Sequence, residues 1–272
     1  MSMSRLTRFT DRLRWSLQYR GVGMTALACL ANACAFTGRD WYWQYKERHF
    51  DQRHGVDTGG LIPIEALDLS DRDQARGWGY MPSQPEWFHL AISRLKLDYR
   101  RYNFIDFGSG KGRTLLLASK YPFRRIIGVE ISGQLHEIAE RNLTVWRRNR
   151  NIPSHLYALQ ADAAGVALPD GPCVLYFYNP FKASVMQQVL AHIQASYRAA
   201  PRHMVLVYAN PTSRQVVDDC KTFTQTACFD MDPPTIVYET KSIIAETSGR
   251  CCSKSAAPID CCGGPRNLLP KE

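Results

Sequence analysis

The sequence lacks internal repeats, a cysteine framework and an excess of acid, and each shortage narrows what the chain can be. Nothing points to a repeat architecture. Nine cysteines are present, but Cys29, Cys34, Cys173, Cys220 and Cys228 are scattered and odd in number within the region expected to fold. That is unlike a secreted disulfide scaffold, so a reducing, cytoplasmic setting is expected. Acidic residues number 25 against 34 basic ones, a formal charge of +9. This balance favours acidic partners such as nucleic acid, anionic lipid or an acidic protein. The arginines gather near the N-terminus and around Trp146-Arg-Arg-Asn-Arg150, however, so no broad basic face follows and a nucleic-acid partner is not supported. An apolar run of secure membrane-spanning length is also missing. Residues 21–38 carry no charge, yet they are at the lower limit for a spanning helix and are diluted by Gly, Thr and Asn32. A secretory signal is a second reading, with small residues near Ala31-Asn-Ala33. The preferred reading is an amphipathic helix that packs on the domain or makes peripheral membrane contact through residues 1–38.

What is present is the composition of a globular protein, 45% hydrophobic. Three parts are expected: a basic and apolar helical extension at 1–49, one α/β domain at 50–246, and a disordered tail at 247–272. The tail holds Cys251-Cys252 and Cys261-Cys262. Adjacent cysteines do not easily converge on one ion, so no metal is assigned to them. Phe50 to Gly60 is polar and turn-forming and reads as a loop. Ser83 with Glu86 three residues on reads as a capping box, followed by a helix that buries Phe88, Ala91, Ile92 and Leu95.

From residue 103 strands and helices alternate. Strands are expected at 103–107, 125–130, 155–160, 173–178 and 203–208, with helices at 112–120, 134–148 and 182–199. Alternation of this kind means a doubly wound, Rossmann-like parallel sheet. Two late runs, 223–229 and 235–239, have no clear helix between them and read as an antiparallel hairpin at the sheet edge.

Chemistry concentrates at the ends of the strands. Asp106-Phe-Gly108-Ser109-Gly110-Lys-Gly112 joins the first strand to its helix. Glycines there let backbone approach a ligand, and the helix N-terminus favours polar groups. A phosphate-cradling loop needs Ser or Thr after Gly-Lys, and Gly112 stands there instead. A dinucleotide fingerprint has its third glycine one place later, which disfavours a nicotinamide-dependent oxidoreductase. What remains suits a cofactor without pyrophosphate and with a cationic amino-acid end. Glu130, ending the second strand, has the distance from the loop expected of a carboxylate that grips ribose hydroxyls. Asp162 follows the third strand, where an acid can accept from an adenine amino group. Asn179-Pro180-Phe181 follows the buried strand 173–178, at the end of the sheet where ligands bind. The Asn179 side chain and the Pro180 carbonyl suit hydrogen bonds from a target amine, and Phe181 suits packing on the target or a sulfonium.

In this order and spacing, these residues resemble the class I S-adenosylmethionine-dependent methyltransferases. The resemblance covers roughly residues 50–245, and within that superfamily the chain is similar to the Dot1-like branch and its bacterial members. More distantly it is similar to lysine methyltransferases with a Tyr-x-Pro loop, here Tyr80-Met-Pro82. The resemblance implies S-adenosyl-L-methionine as cofactor, held by Asp106, Gly108, Ser109, Gly110, Gly112, Glu130 and Asp162. It implies Asn179, Pro180, Phe181 and Tyr80 at the methyl acceptor, a nitrogen on a protein lysine or a small-molecule amine. Dot1 enzymes carry Asn-Asn-Phe where this chain has Asn179-Pro180-Phe181, and no nucleosome-binding extension is visible, so histone is not the implied acceptor. A non-catalytic protein using the same fold as a scaffold is the remaining alternative.

Overall fold

The computed structural model describes residues 48–150, 155–231 and 233–240. The segment expected to contact a membrane and the cysteine-bearing tail lie outside these residues. No helix among the described residues is long and apolar enough to cross a membrane.

Seven strands form one sheet: β1 (Asn103–Phe107), β2 (Arg125–Glu130), β3 (Leu156–Gln160), β4 (Cys173–Tyr178), β5 (Met204–Ala209), β6 (Phe223–Phe229) and β7 (Thr235–Thr240). Their spatial order is β3-β2-β1-β4-β5-β7-β6. The first five are parallel, and β7 runs antiparallel to both β5 and β6. The helices that accompany them include α1 (Asp71–Gln74), α2 (Pro85–Ser93), α3 (Arg113–Ala118), α4 (Gly133–Arg150), α5 (Ala183–Ala199) and α6 (Arg214–Asp218).

Side chains alternate across the pleat, and helices cover both faces. Phe104, Val174 and Val205 point into one core with Phe88, Leu116 and Trp146. Ile105, Leu175 and Leu206 point into the other with Met186, Leu190 and Ile193. A strand buried on both faces needs apolar residues at consecutive positions, which is why β4 and β5 are uninterrupted apolar runs. Each Leu, Ile or Phe so enclosed contributes roughly 1.5–3 kcal/mol over leaving it in water.

Connectivity creates the site. From β1 the chain winds outward through β2 and β3, then returns to lay β4 on the opposite side of β1. The connections leaving β1 and β4 therefore diverge, and a crevice opens beyond the carboxyl ends of these two strands.

Two expectations need correction. Residues 48–54 are helical, so Phe50 to His54 belong to a helix end rather than a loop, and only the part from Gly55 onward is irregular. Its turn-forming residues concealed an apolar contact, in which Phe50 and Val56 pack on the core that contains Leu143 and Trp146. Ser83 does not cap α2: the cap position is Gln84, with Pro85 at the start of the helix. Ser83 is buried and accepts a 3.5 Å hydrogen bond from the Tyr176 hydroxyl, a tertiary contact that outcompetes the local one. Between β5 and β6, in a stretch to which the sequence pattern assigned no element, α6 is held by Val217 in the core.

Candidate functional site

The glycine loop follows β1 and is threaded through left-handed backbone, with φ of +78° at Gly108, +54° at Gly110 and +83° at Gly112. L-residues with a Cβ are disfavoured there. The missing side chains also make room for other parts of the protein. A Cβ on Gly108 would stand 2.5 Å from Cβ of Pro180, and one on Gly110 would stand 2.3 Å from the Tyr80 ring. Close approach to protein, rather than to ligand alone, is thus what these two glycines provide. Through them the loop touches both the Asn179-Pro180-Phe181 turn and Tyr80. The Ser109 side chain turns inward against Gly128, where a Cβ would lie 2.6 Å from its hydroxyl.

The back of the loop is held by a strap, residues 55–60, that sequence reasoning had treated as a plain connection. Lys111 does not face a phosphate; its Nζ donates to Asp57 Oδ1 (2.8 Å) and to the Gly59 carbonyl (2.9 Å). Arg113 is only 2% exposed. Its Nε donates to Thr58 Oγ1 at 2.8 Å, and its guanidinium lies 5.0 Å over the Phe50 ring. Asp51 completes the arrangement by accepting from the Thr58 and Gly59 amides and from the Thr58 hydroxyl. Asn142 of α4 joins strap and loop, donating to the carbonyls of Asp57 and Lys111. The Tyr80 hydroxyl donates to the Thr58 carbonyl at 2.6 Å, so its ring is a fixed wall between strap and loop.

In front of the loop lies a cavity of about 540 Å³, a volume typical of sites for drug-sized ligands. It is bounded by Asp106, Gly108, Ser109, Gly110, Glu130 and Asp162 on one side and by Tyr80, Asn179, Pro180 and Phe181 on the other. Of the expected site residues only Gly112 stands apart, as the cap of α3. Glu130 is buried, and its two oxygens accept from the backbone N–H groups of Gly110 (2.8 Å) and Ser132 (2.9 Å). The carboxylate is thereby locked to the loop, with acceptor capacity left on each oxygen. Burial pushes its pKa up. Burial also raises Asp106, to about 8, against the pull of a hydrogen bond from Thr114 and assisted by the nearby Glu130. Among the described residues neither carboxyl has a side-chain ion pair, so a cationic group in the cavity would meet an electrostatic demand the protein leaves unmet. Asp162 is exposed and accepts from the Ala164 amide at 2.9 Å. Asp68, which sequence reasoning missed, accepts from the Ser132 hydroxyl (2.5 Å) and the Gln134 amide (2.9 Å), fixing the turn from β2 into α4. That bond to Ser132 lowers its pKa.

On the opposite side Asn179, directly after β4, is also left-handed with φ +44°, and this bend sends Pro180 onto the glycine loop. Thr212, following β5, donates to Asn179 Oδ1 at 2.5 Å. Phe181 meets Phe177 edge to face, with ring centroids 6.5 Å apart, and is bridged to Gly77. Asp68, Thr58 and Thr212 carried no recognisable signal, because each acts across a long sequence separation from a segment without periodicity.

No family model matches the chain, and no curated protein matches it. Solved structures resemble it distantly. The ribosomal protein L11 methylase of Lactobacillus delbrueckii subsp. bulgaricus is 13% identical with a TM-score of 0.42, over 57% of this chain and 77% of that one. An RNA methyltransferase of Salinibacter ruber, solved with S-adenosyl-L-homocysteine, is 17% identical with a TM-score of 0.41, over 59% and 92%. A SAM-dependent methyltransferase of Aquifex aeolicus is 10% identical with a TM-score of 0.42, over 56% and 88%. At such identities the likeness is one of fold.

Proposed function

We propose that the chain is an S-adenosylmethionine-dependent methyltransferase of the Dot1-like branch that delivers its methyl group to a nitrogen acceptor, on a protein lysine or a small-molecule amine. One observation carries the reading: the glycine loop and the Asn179-Pro180-Phe181 turn, far apart in sequence, face one cavity at the sheet's switch point and touch through Gly108 and Pro180. The donor set fits the cofactor. Glu130, pinned by two backbone amides, retains lone pairs for a vicinal diol. Glu130, and Asp106 once it gives up its proton, offer negative charge to a cationic amino-acid end, and Asp162 lies at the rim for an adenine amino group.

When bound, S-adenosylmethionine supplies a methyl group already activated for displacement. The protein's part is then positioning and exclusion of water. Asn179 and the Pro180 carbonyl accept from the incoming amine and direct its lone pair, while Phe181 and Tyr80 wall the approach. With the cofactor's cationic end meeting Asp106 and Glu130, an amine entering on the apolar side of the cavity sheds its proton more readily than in water, because burial disfavours the charged form.

Isothermal calorimetry tests the cofactor half: S-adenosylmethionine and S-adenosylhomocysteine bind the wild type, and Glu130→Ala loses at least tenfold in affinity. Absence of any heat with both nucleosides sinks the proposal. For the acceptor half, Asn179→Ala keeps the nucleoside affinity and loses label transfer from radioactive cofactor into a cell lysate; unchanged transfer removes Asn179 from the acceptor site.

A further inference from the structure

Large apolar side chains are rarely left in water in a contiguous group without a reason. Of the six that are exposed among the described residues, four (Leu61, Trp78, Met81 and Ile131) line the one cavity described above. Ile131 follows Glu130 on the cofactor side. The other three also line the cavity, 71% exposed at Leu61, 50% at Trp78 and 44% at Met81. Two of them are brought together by the backbone. Ile62 and Tyr80 form an antiparallel bridge, with hydrogen bonds of 3.1 and 2.8 Å, which sets Leu61 beside Met81. The apolar surface continues inward from this lip through Ile62 and Ile64.

The cations near the lip are already engaged, and the excess of carboxyls lies deeper in the cavity. Arg76 is engaged by Gln188 (2.5 Å) and Asp73 (3.6 Å), and the Lys182 ammonium lies 5.3 Å over the Trp78 ring. Lining carboxyls outnumber lining guanidinium groups, with Asp73, Asp106, Glu130 and Asp162 against Arg76 and Arg113. A polypeptide laid across Leu61, Trp78 and Met81 would press its N–H and C=O groups onto a surface whose one polar group is the Trp78 indole N–H, and that desolvation is costly. An alkyl or aryl body incurs no such cost.

We infer that the acceptor subsite, on the functional reading given above, takes a hydrophobic small-molecule amine whose alkyl or aryl body rests on the Leu61–Trp78–Met81 lip while its nitrogen reaches Asn179. The inference narrows the acceptor class and excludes a lysine presented on a polar polypeptide.

Primary n-alkylamines from propyl to octyl, titrated calorimetrically into protein saturated with S-adenosylhomocysteine, test it without turnover. Affinity is expected to rise about fourfold for each methylene that becomes buried. The matching alkanoates bind at least tenfold more weakly, as does N-acetyl-lysine amide, which stands in for a peptide lysine. Leu61→Ser and Met81→Ser, both at solvent-exposed positions, flatten the chain-length series. Affinity independent of chain length, a series unchanged in both variants, or N-acetyl-lysine amide binding as tightly as hexylamine overturns the inference. A protein that binds S-adenosylhomocysteine but no alkylamine keeps the proposed function and loses this one; a protein that binds neither loses both.

Discussion

Asp106 shows how one buried residue couples cofactor chemistry to stability. With its carboxyl raised to about 8 in the folded chain and ordinary when unfolded, the folded state holds the proton through neutral pH and the unfolded state does not. Its contribution to stability is therefore present below about pH 4 and lost progressively as pH rises to about 8. Asp106→Asn, which stays neutral, should match the wild type in thermal melts near pH 4 and become the more stable of the two as pH approaches 8. The same variant should lose affinity for S-adenosylmethionine, because one of the two carboxyls that meet the ligand's ammonium is gone. For the wild type, nucleoside affinity should increase as pH rises from 6 to 8, with proton release visible as heat that depends on the buffer. A flat pH profile, or melts of wild type and variant that stay parallel, would contradict this account.

Among the elements, the strap at 55–60 decides the shape of the site, although it contains no regular structure. It binds the glycine loop from behind through Lys111, Arg113 and Asn142, and it holds Tyr80 against Gly110. Asp51 organises it, accepting three hydrogen bonds from Thr58 and Gly59 and lying 3.6 Å from the Arg113 guanidinium. Asp51→Ala removes the carboxylate beside a buried cation and leaves two backbone donors without their acceptor, and should cost about 2–4 kcal/mol. Urea denaturation is expected to show a lower midpoint at unchanged slope. Cofactor affinity should fall as well, since Gly110 carries the amide that pins Glu130. An unchanged midpoint would mean that the strap rests on the domain without bracing it.

At the scale of the whole molecule, two halves of the sheet meet at the cavity, so a ligand seated there should stabilise the entire fold. Binding only to the native state, S-adenosylhomocysteine at a hundredfold its dissociation constant adds about 2.7 kcal/mol. For a domain of this size that raises the melting temperature by roughly 5–10 °C. NADH at the same concentration should leave the melt where it was. A shift with NADH and none with the nucleoside would restore the oxidoreductase reading.

Patterns of short range determined most of this protein by themselves. Apolar runs at β1, β4 and β5 and the helical spacing of Met186, Val189, Leu190 and Ile193 are local facts, and burial on both faces of a sheet leaves such segments little choice of structure. Asp106, the glycines and Glu130 were legible for the same reason, since a strand, a tight turn and a helix follow one another within one unit. Tertiary structure alone decided what lies beside that unit. Ser83 joined Tyr176 instead of capping a helix, Lys111 turned away from the cavity onto the strap, and Thr212 found Asn179 across two loops. The glycines also acquired partners, Pro180 and Tyr80, that no local pattern discloses. Periodicity encodes which face of an element is buried; which distant segment buries it is settled only when the elements pack.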